Sequence, residues 1–120
     1  MNDFKNLFDK QIANQTKLVK NNTYNNINAD EKLPTDNVSV FSYHVQQLIS
    51  EIGEVLECDK RWKNIRNDKY IKEQKLDELA DCFIVWMNLI IFSGFSSEEI
   101  LSQINSKLDV FEKRIEESEK

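Results

Sequence analysis

The sequence predicts an all-α domain, and three observations carry that expectation. One proline and two glycines in 120 residues leave few places for the tight turns of a sheet fold. Apolar residues recur three and four apart over long uninterrupted stretches. Helix start and stop signals fall between those stretches rather than inside them. The expected architecture is a four- to five-helix bundle in which residues 1–120 form a single domain. Within it, residues 1–37 supply an N-terminal helix and a loop, and residues 38–115 the remaining helices.

The first helix is expected over Asp3–Lys20, where Phe4, Leu7, Phe8, Ile12 and Leu18 or Val19 keep helical spacing and Asn2 or Asp3 can cap. "NNTYNNINADEKLPTDN", residues 21 to 37, is Asn-rich, holds the only proline and reads as a loop. Its length is unusual for a small domain and points to a functional segment. The second helix is expected over Val38–Trp62. There Phe41, Val45, Leu48, Ile49, Ile52, Val55 and Leu56 form one apolar stripe at helical spacing. Glu51 lies at the edge of that stripe, beside Gln47, Glu54, Cys58 and Arg61. His44 reads as a helix-face residue. "KNIRNDKYI", residues 63 to 71, is a basic connector.

The third helix is expected over Lys72–Ser93, with Gly94 as its stop. After Asp81 it is apolar nearly all round, from Phe83 to Phe92, a pattern that predicts burial on more than one side. Four helices of this size cannot bury it alone, so a partner subunit is expected. A narrow polar strip remains, made of Asp77, Glu78, Asp81 and Asn88. Carboxylates beside so much apolar surface call for a positive partner. Ser96 and Glu99 then have the spacing of a capping box, and the fourth helix runs from Ser97 into the charged tail "EKRIEESEK".

The balance of 16 basic to 21 acidic residues argues against a nucleic-acid backbone as partner. It leaves room for a phosphorylated small molecule, because bound cations reverse the local field. Cys58, Cys82 and the single His44 are too few for a disulfide framework or a Cys/His zinc site. The N-terminus carries acids and lacks the apolar core of a signal peptide. "CFIVWMNLIIF" is far short of the roughly 20 residues that cross a bilayer. A reduced, soluble, cytoplasmic protein without a membrane partner is expected.

Residues three apart on a helix are neighbours, so Glu51/Glu54 and Glu78/Asp81 present two carboxylate pairs. If the second and third helices pack antiparallel, the pairs face each other. Four carboxylates make a hard, oxygen-only set that suits Mg²⁺ or Mn²⁺. Glu-x-x-Glu also commonly marks a solvated face, and Glu57 belongs with that reading. A ferritin-like di-iron site would need Glu-x-x-His pairs, which the chain lacks.

"EIGEVLE" (51–57) followed by "DELADCFIVWMNLIIFSGFSSEEIL" (77–101) and "SKLDVFEKR" (106–114) resembles the all-α nucleotide pyrophosphohydrolases, the superfamily of MazG-like proteins and dimeric dUTPases. The shared signature is E-x-x-E, a spacer, then E-x-x-D, here Glu51, Glu54, Glu78 and Asp81. "DFKNLFDKQ" (3–11) is similar to the first helix of dimeric dUTPases. The resemblance implies a MazG-like bundle completed by oligomerisation, as a homotetramer built from tight dimers in preference to a dimer. It implies Mg²⁺-dependent hydrolysis of a (deoxy)nucleoside triphosphate to the monophosphate and pyrophosphate, with pyrimidine deoxynucleotides favoured. A strict dUTPase is the alternative within the enzyme class. An idle helical interaction module is the alternative outside it.

By the same resemblance Glu54, Glu78 and Asp81 are metal ligands. Glu51 is the base that orients the attacking water, and it touches the metal as well. Trp62 stands where relatives carry an aromatic against the base, and Lys107, Asp109 and Arg114 match a pattern used near the phosphates. Lys60, Arg61 and Lys63 close the second helix beside the acids and suit phosphates, although cations there also answer the helix dipole. Gln47 and Asn88 complete the candidate substrate contacts. Val85 stands where some relatives place a tyrosine; the "CDKRWK" and "CFIVW" segments depart from those of dimeric dUTPases and weaken a dUTP-specific reading, and the shorter length favours the MazG-like arrangement.

Overall fold

Helix boundaries follow the capping signals closely. The structure, a computed structural model, describes residues 3–20, 33, 35–63 and 69–119. Among these the chain forms four α-helices and no strand: α1 (Asp3–Lys20), α2 (Val38–Cys58), α3 (Lys72–Phe92) and α4 (Ser97–Ser118). Asn2, most of the expected Asn-rich loop (21–32 and 34) and the centre of the basic connector (64–68) lie outside the described residues.

Asn37 starts α2 by accepting the Val40 N–H on its side chain at 3.1 Å. The helix ends at Cys58, four residues before the expected Trp62. Asp59 leaves the helix with φ −141° and ψ 93°, and its carboxylate accepts the Arg61 N–H at 3.3 Å. That local bond competes with the helical pattern, and Lys60–Lys63 closes a single 3₁₀ turn instead. At the end of α3, Gly94 N–H donates to Ile91 O (3.0 Å) and Phe95 N–H to Ile90 O (3.2 Å), the paired bonds of a Schellman stop. Gly94 has φ +85°, a left-handed conformation that glycine adopts without the strain a side chain would bring. Ser96 and Glu99 form the expected capping box at the start of α4.

α2 and α3 make the main pair, and they run antiparallel. Asp59 meets Lys75, Glu54 meets Glu78, Glu51 lies by Asp81 and Cys82, and His44 stacks on Phe92. α1 packs across α3, and α4 rests on α1. Phe8, Met87, Ile90 and Ile91 form one buried cluster, with Phe4, Leu33, Trp86 and Ile100 against it. Val19, Val40 and Phe92 form a second, closed by Leu33.

Within the single chain, two apolar faces stay largely uncovered. Of the α2 stripe, Phe41, Ile49, Ile52 and Leu56 are exposed and Val45, Leu48 and Val55 half-buried, while Val40 and His44 are the buried residues. α3 is buried only over its C-terminal half, at Met87, Asn88, Ile90, Ile91 and Phe92; Leu76, Leu79, Phe83 and Ile84 are exposed. On α1, likewise, Gln15 is buried while Leu7, Ile12 and Leu18 are not. The Cα radius of gyration is 18.1 Å. A compact chain of this length would have about 13–14 Å. Among the described residues no single helix is long and apolar enough to cross a membrane.

His44 is a core residue rather than the helix-face residue expected. It is 2% exposed and its ring lies 4.7 Å from that of Phe92, nearly parallel. Burial lowers its pKa from 6.5 to about 4. The unfolded chain therefore takes up a proton that the folded chain refuses. The stability tied to neutral His44 is present above pH 6.5 and lost as pH falls through 4. A shift from 6.5 to about 4, at about 1.4 kcal/mol per pH unit, corresponds to about 3 kcal/mol. Denaturant midpoints of His44→Phe measured from pH 7 to 4 should lack this part of the wild-type slope. Parallel curves would show that His44 does not carry it.

Candidate functional site

The antiparallel pairing brings the two acidic motifs together. Glu51 and Glu54 occupy adjacent turns of α2, Glu78 and Asp81 adjacent turns of α3, and the facing sides of the two helices set them opposite one another. Ligand oxygens of Glu51, Glu54 and Glu78 all lie within 4.8 Å of one another. Those of Asp77, Glu78 and Asp81 make an overlapping group, so Glu78 joins the two. Glu51, Glu78 and Asp81 are half-buried, whereas Glu54 and Asp77 are exposed. Asp77, part of the polar strip, joins the group through local helix geometry, one turn before Asp81 on α3.

This arrangement is electrostatically unfavourable on its own. Glu51 Oε2 and Glu78 Oε2 are buried without a hydrogen-bond partner. Among the described residues no ion pair reaches any of the four acids. The Glu51 carboxyl is pushed above its ordinary value by burial, then by its contact with Glu54 and the charges of Asp81 and Glu78. That of Glu78 is pushed up by Glu54 first, then by burial and by Asp81 and Asp77. Burial and the same acids raise the Cys82 thiol. Such a group relieves its repulsion in one of two ways, by holding a proton between carboxylates or by holding a cation. Orphaned carboxylate oxygens with no nitrogen or thiolate among them fit a hard divalent ion such as Mg²⁺ or Mn²⁺.

The cationic candidates are differently placed. Arg61 is held by Asp59 through two side-chain bonds of 2.8 Å and stands 3.8 Å over the Tyr70 ring, so it is committed locally. Lys60 pairs with exposed Glu57 at 3.5 Å, a contact worth little in solvent. Lys63 lies 5.3 Å over the Trp62 ring. Trp62 is 54% exposed, with its indole N–H donating to Leu56 O at 3.3 Å. It is therefore no core residue; it lines an open cleft of about 380 Å³ with Val55, Leu56, Asp59, Arg61 and Lys75.

Gln47 donates to the Tyr43 hydroxyl on its own helix at 3.0 Å. Asn88 is buried two turns beyond Asp81, and its Oδ1 accepts from Gln11 at 2.7 Å and Gln15 at 3.4 Å. Sequence reasoning passed over both glutamines. The signal was their position: Phe8, Gln11, Gln15 and Val19 share one face of α1, so two amides interrupt a buried stripe. Lys107, Asp109 and Arg114 are exposed on α4, whose main packing partner is α1.

Comparisons with protein-family models, with curated protein sequences and with solved structures returned no match.

Proposed function

We propose that the chain is the subunit of a Mg²⁺-dependent nucleoside triphosphate pyrophosphohydrolase, MazG-like in type and favouring pyrimidine deoxynucleotides. One observation carries the proposal: carboxylates of Glu51 and Glu54 on α2 and Glu78 on α3 lie within 4.8 Å of one another, Asp81 adjoins them through Glu78, and no ion pair among the described residues neutralises them. The sequence resemblance supplies the substrate class. Glu54, Glu78 and Asp81 hold the cation in this reading. Bound there, a divalent ion supplies charge neutralisation for the phosphates and makes water a stronger nucleophile.

Glu51, the most desolvated of the set, orients the water and accepts its proton. The water oxygen bonds to phosphorus, the α–β anhydride bond breaks, and pyrophosphate leaves with the bridging oxygen. Trp62 and its cleft offer an apolar wall and an exposed ring for a base. Lys60 and Lys63 are the rim cations open to phosphate. Lys107, Asp109 and Arg114 contribute only if a second copy brings α4 to the acids.

Homo-oligomerisation, with a tetramer favoured over a dimer, belongs to the same proposal, because apolar stripes on α2, α3 and α4 remain exposed. Those stripes also favour a second reading, a helical interaction module without chemistry. Pyrophosphate release from a panel of dNTPs and NTPs with Mg²⁺ separates the two. Wild-type turnover should fall by at least about 100-fold in Glu54→Ala. A ranking confined to dUTP would select the strict dUTPase. A folded wild type that releases nothing from any nucleotide would overturn the enzyme reading.

A further inference from the structure

Asp59 is not one of the four acids, yet it is the residue through which the chain disposes of its nearest cations. It is the first residue beyond α2, and its side chain is only 10% exposed. Oδ1 accepts from the Arg61 backbone N–H at 3.3 Å and from Arg61 Nε at 2.8 Å. Oδ2 accepts from Arg61 Nη2 and from Lys75 Nζ, each at 2.8 Å. The Tyr70 ring lies 3.8 Å beneath the Arg61 guanidinium and 5.2 Å from Lys75 Nζ, so the aromatic face backs the same arrangement.

Lys75 matters for the acids because of where it starts. It sits on α3 three residues before Glu78, the spacing at which a lysine and a glutamate on one helix pair by default. Here it does not: the charges acting on Glu78 come from Glu54, Asp81 and Asp77, while Lys75 reaches across to the end of α2. A carboxylate with two cations on it has no need of the second to be satisfied. The second cation has every electrostatic reason to choose four clustered acids instead. The well-formed bond to Asp59 is what keeps it away.

We infer that Asp59 is a positioning residue that holds Lys75 off Glu78, so that the carboxylate cluster keeps its charge and its oxygens for a divalent cation. This rests on the cluster being the cation site of the proposed enzyme. Without the Asp59 charge, Lys75 swings one turn along α3, pairs with Glu78, and competes with the ion for the residue that joins both halves of the cluster. The consequence is weaker cation binding with the catalytic residues intact, not loss of the fold.

Mn²⁺ alone, titrated into full-length protein and followed by the electron paramagnetic resonance signal of free Mn²⁺, tests this. Asp59→Asn keeps the shape and removes the charge, and should weaken Mn²⁺ binding by about tenfold or more, as loss of a supporting partner does at metal sites. Lys75→Met added to Asp59→Asn should restore wild-type affinity, because no cation is left to compete. In turnover assays the single variant should need more Mg²⁺ than wild type to reach its own half-maximal rate. Equal Mn²⁺ affinity in wild type and Asp59→Asn would overturn the inference alone. So would a double variant as weak as the single one, which would make Asp59 merely structural. A wild type that binds no Mn²⁺ would remove the cation site itself, and this inference with it.

Discussion

Glu78→Gln is expected to lower turnover by at least about 100-fold and, in cation-free buffer, to raise the melting temperature. The two effects have one cause. Glu78 lies between Glu54 and Asp81, with an oxygen that is buried and unpaired, so its charge is useful to a bound cation and harmful to the bare fold. A neutral amide of the same shape removes the repulsion and the ligand together. The pH dependence has a definite sign. Glu51 and Glu78 have folded pKa values raised above the ordinary 4.5. Their protonated forms are therefore favoured by folding. The stability they contribute is complete below pH 4.5 and is lost as pH rises through the raised values.

Other groups act in the opposite sense over part of that range. His44 costs stability between pH 6.5 and 4. Asp59, whose carboxyl is held far below its usual 3.8 by Arg61 and then Lys75, contributes stability above pH 3.8 that is lost in strong acid. The difference between wild type and Glu78→Gln cancels both. It should shrink as pH falls from 7 to 4.5, and Mg²⁺ should raise the wild-type melting temperature at pH 7 with little effect on the variant. Scanning calorimetry at several pH values, with and without Mg²⁺, measures all of this. A cation-free variant that melts below wild type at pH 7 would mean that the Glu78 carboxylate is satisfied in some other way.

The second large effect concerns association. Leu101, Ile104, Leu108, Phe111 and Ile115 alternate four and three apart along α4, the spacing of a helix seam. Ile104 is half-buried and the other four are exposed, Phe111 at 58%. A second copy is the proposed cover for this seam and for the outward stripes of α2 and α3. Burying a Leu or Phe side chain contributes about 1.5–3 kcal/mol, so two such residues account for about 3–6 kcal/mol of association. Leu108→Asp with Phe111→Asp should therefore weaken assembly by about 10²–10⁴-fold, seen in sedimentation as a shift to monomer at micromolar concentration. A wild type that is already monomeric at high concentration would exclude self-association as the cover.

Much of this protein is written locally. The Asn37 and Ser96 caps and the Gly94 stop follow from nearest-neighbour chemistry, because caps and left-handed turns depend on a few consecutive residues. The two acidic pairs are equally local, since three-residue spacing places side chains together on any helix. Their meeting was legible only as a condition on helix direction, which the antiparallel packing of α2 on α3 meets.

Which face of each helix turns inward was decided by the tertiary structure. Periodicity groups Phe41, Ile49, Ile52 and Leu56 on one face, but it does not say what covers that face, and within this chain α3 instead covers Val40, His44 and Glu51. Arg61 pairs with Asp59 two residues away, a local contact, whereas the second cation on Asp59, Lys75 sixteen residues further on, arrives only because α3 packs on α2. The sequence by itself determined the helices, their caps and the four acids, since these need only short-range spacing. The tertiary structure decided what those helices hide, that Lys75 pairs with Asp59, and that the acids of α2 meet those of α3 with no ion pair among the described residues, since each requires residues distant in the chain.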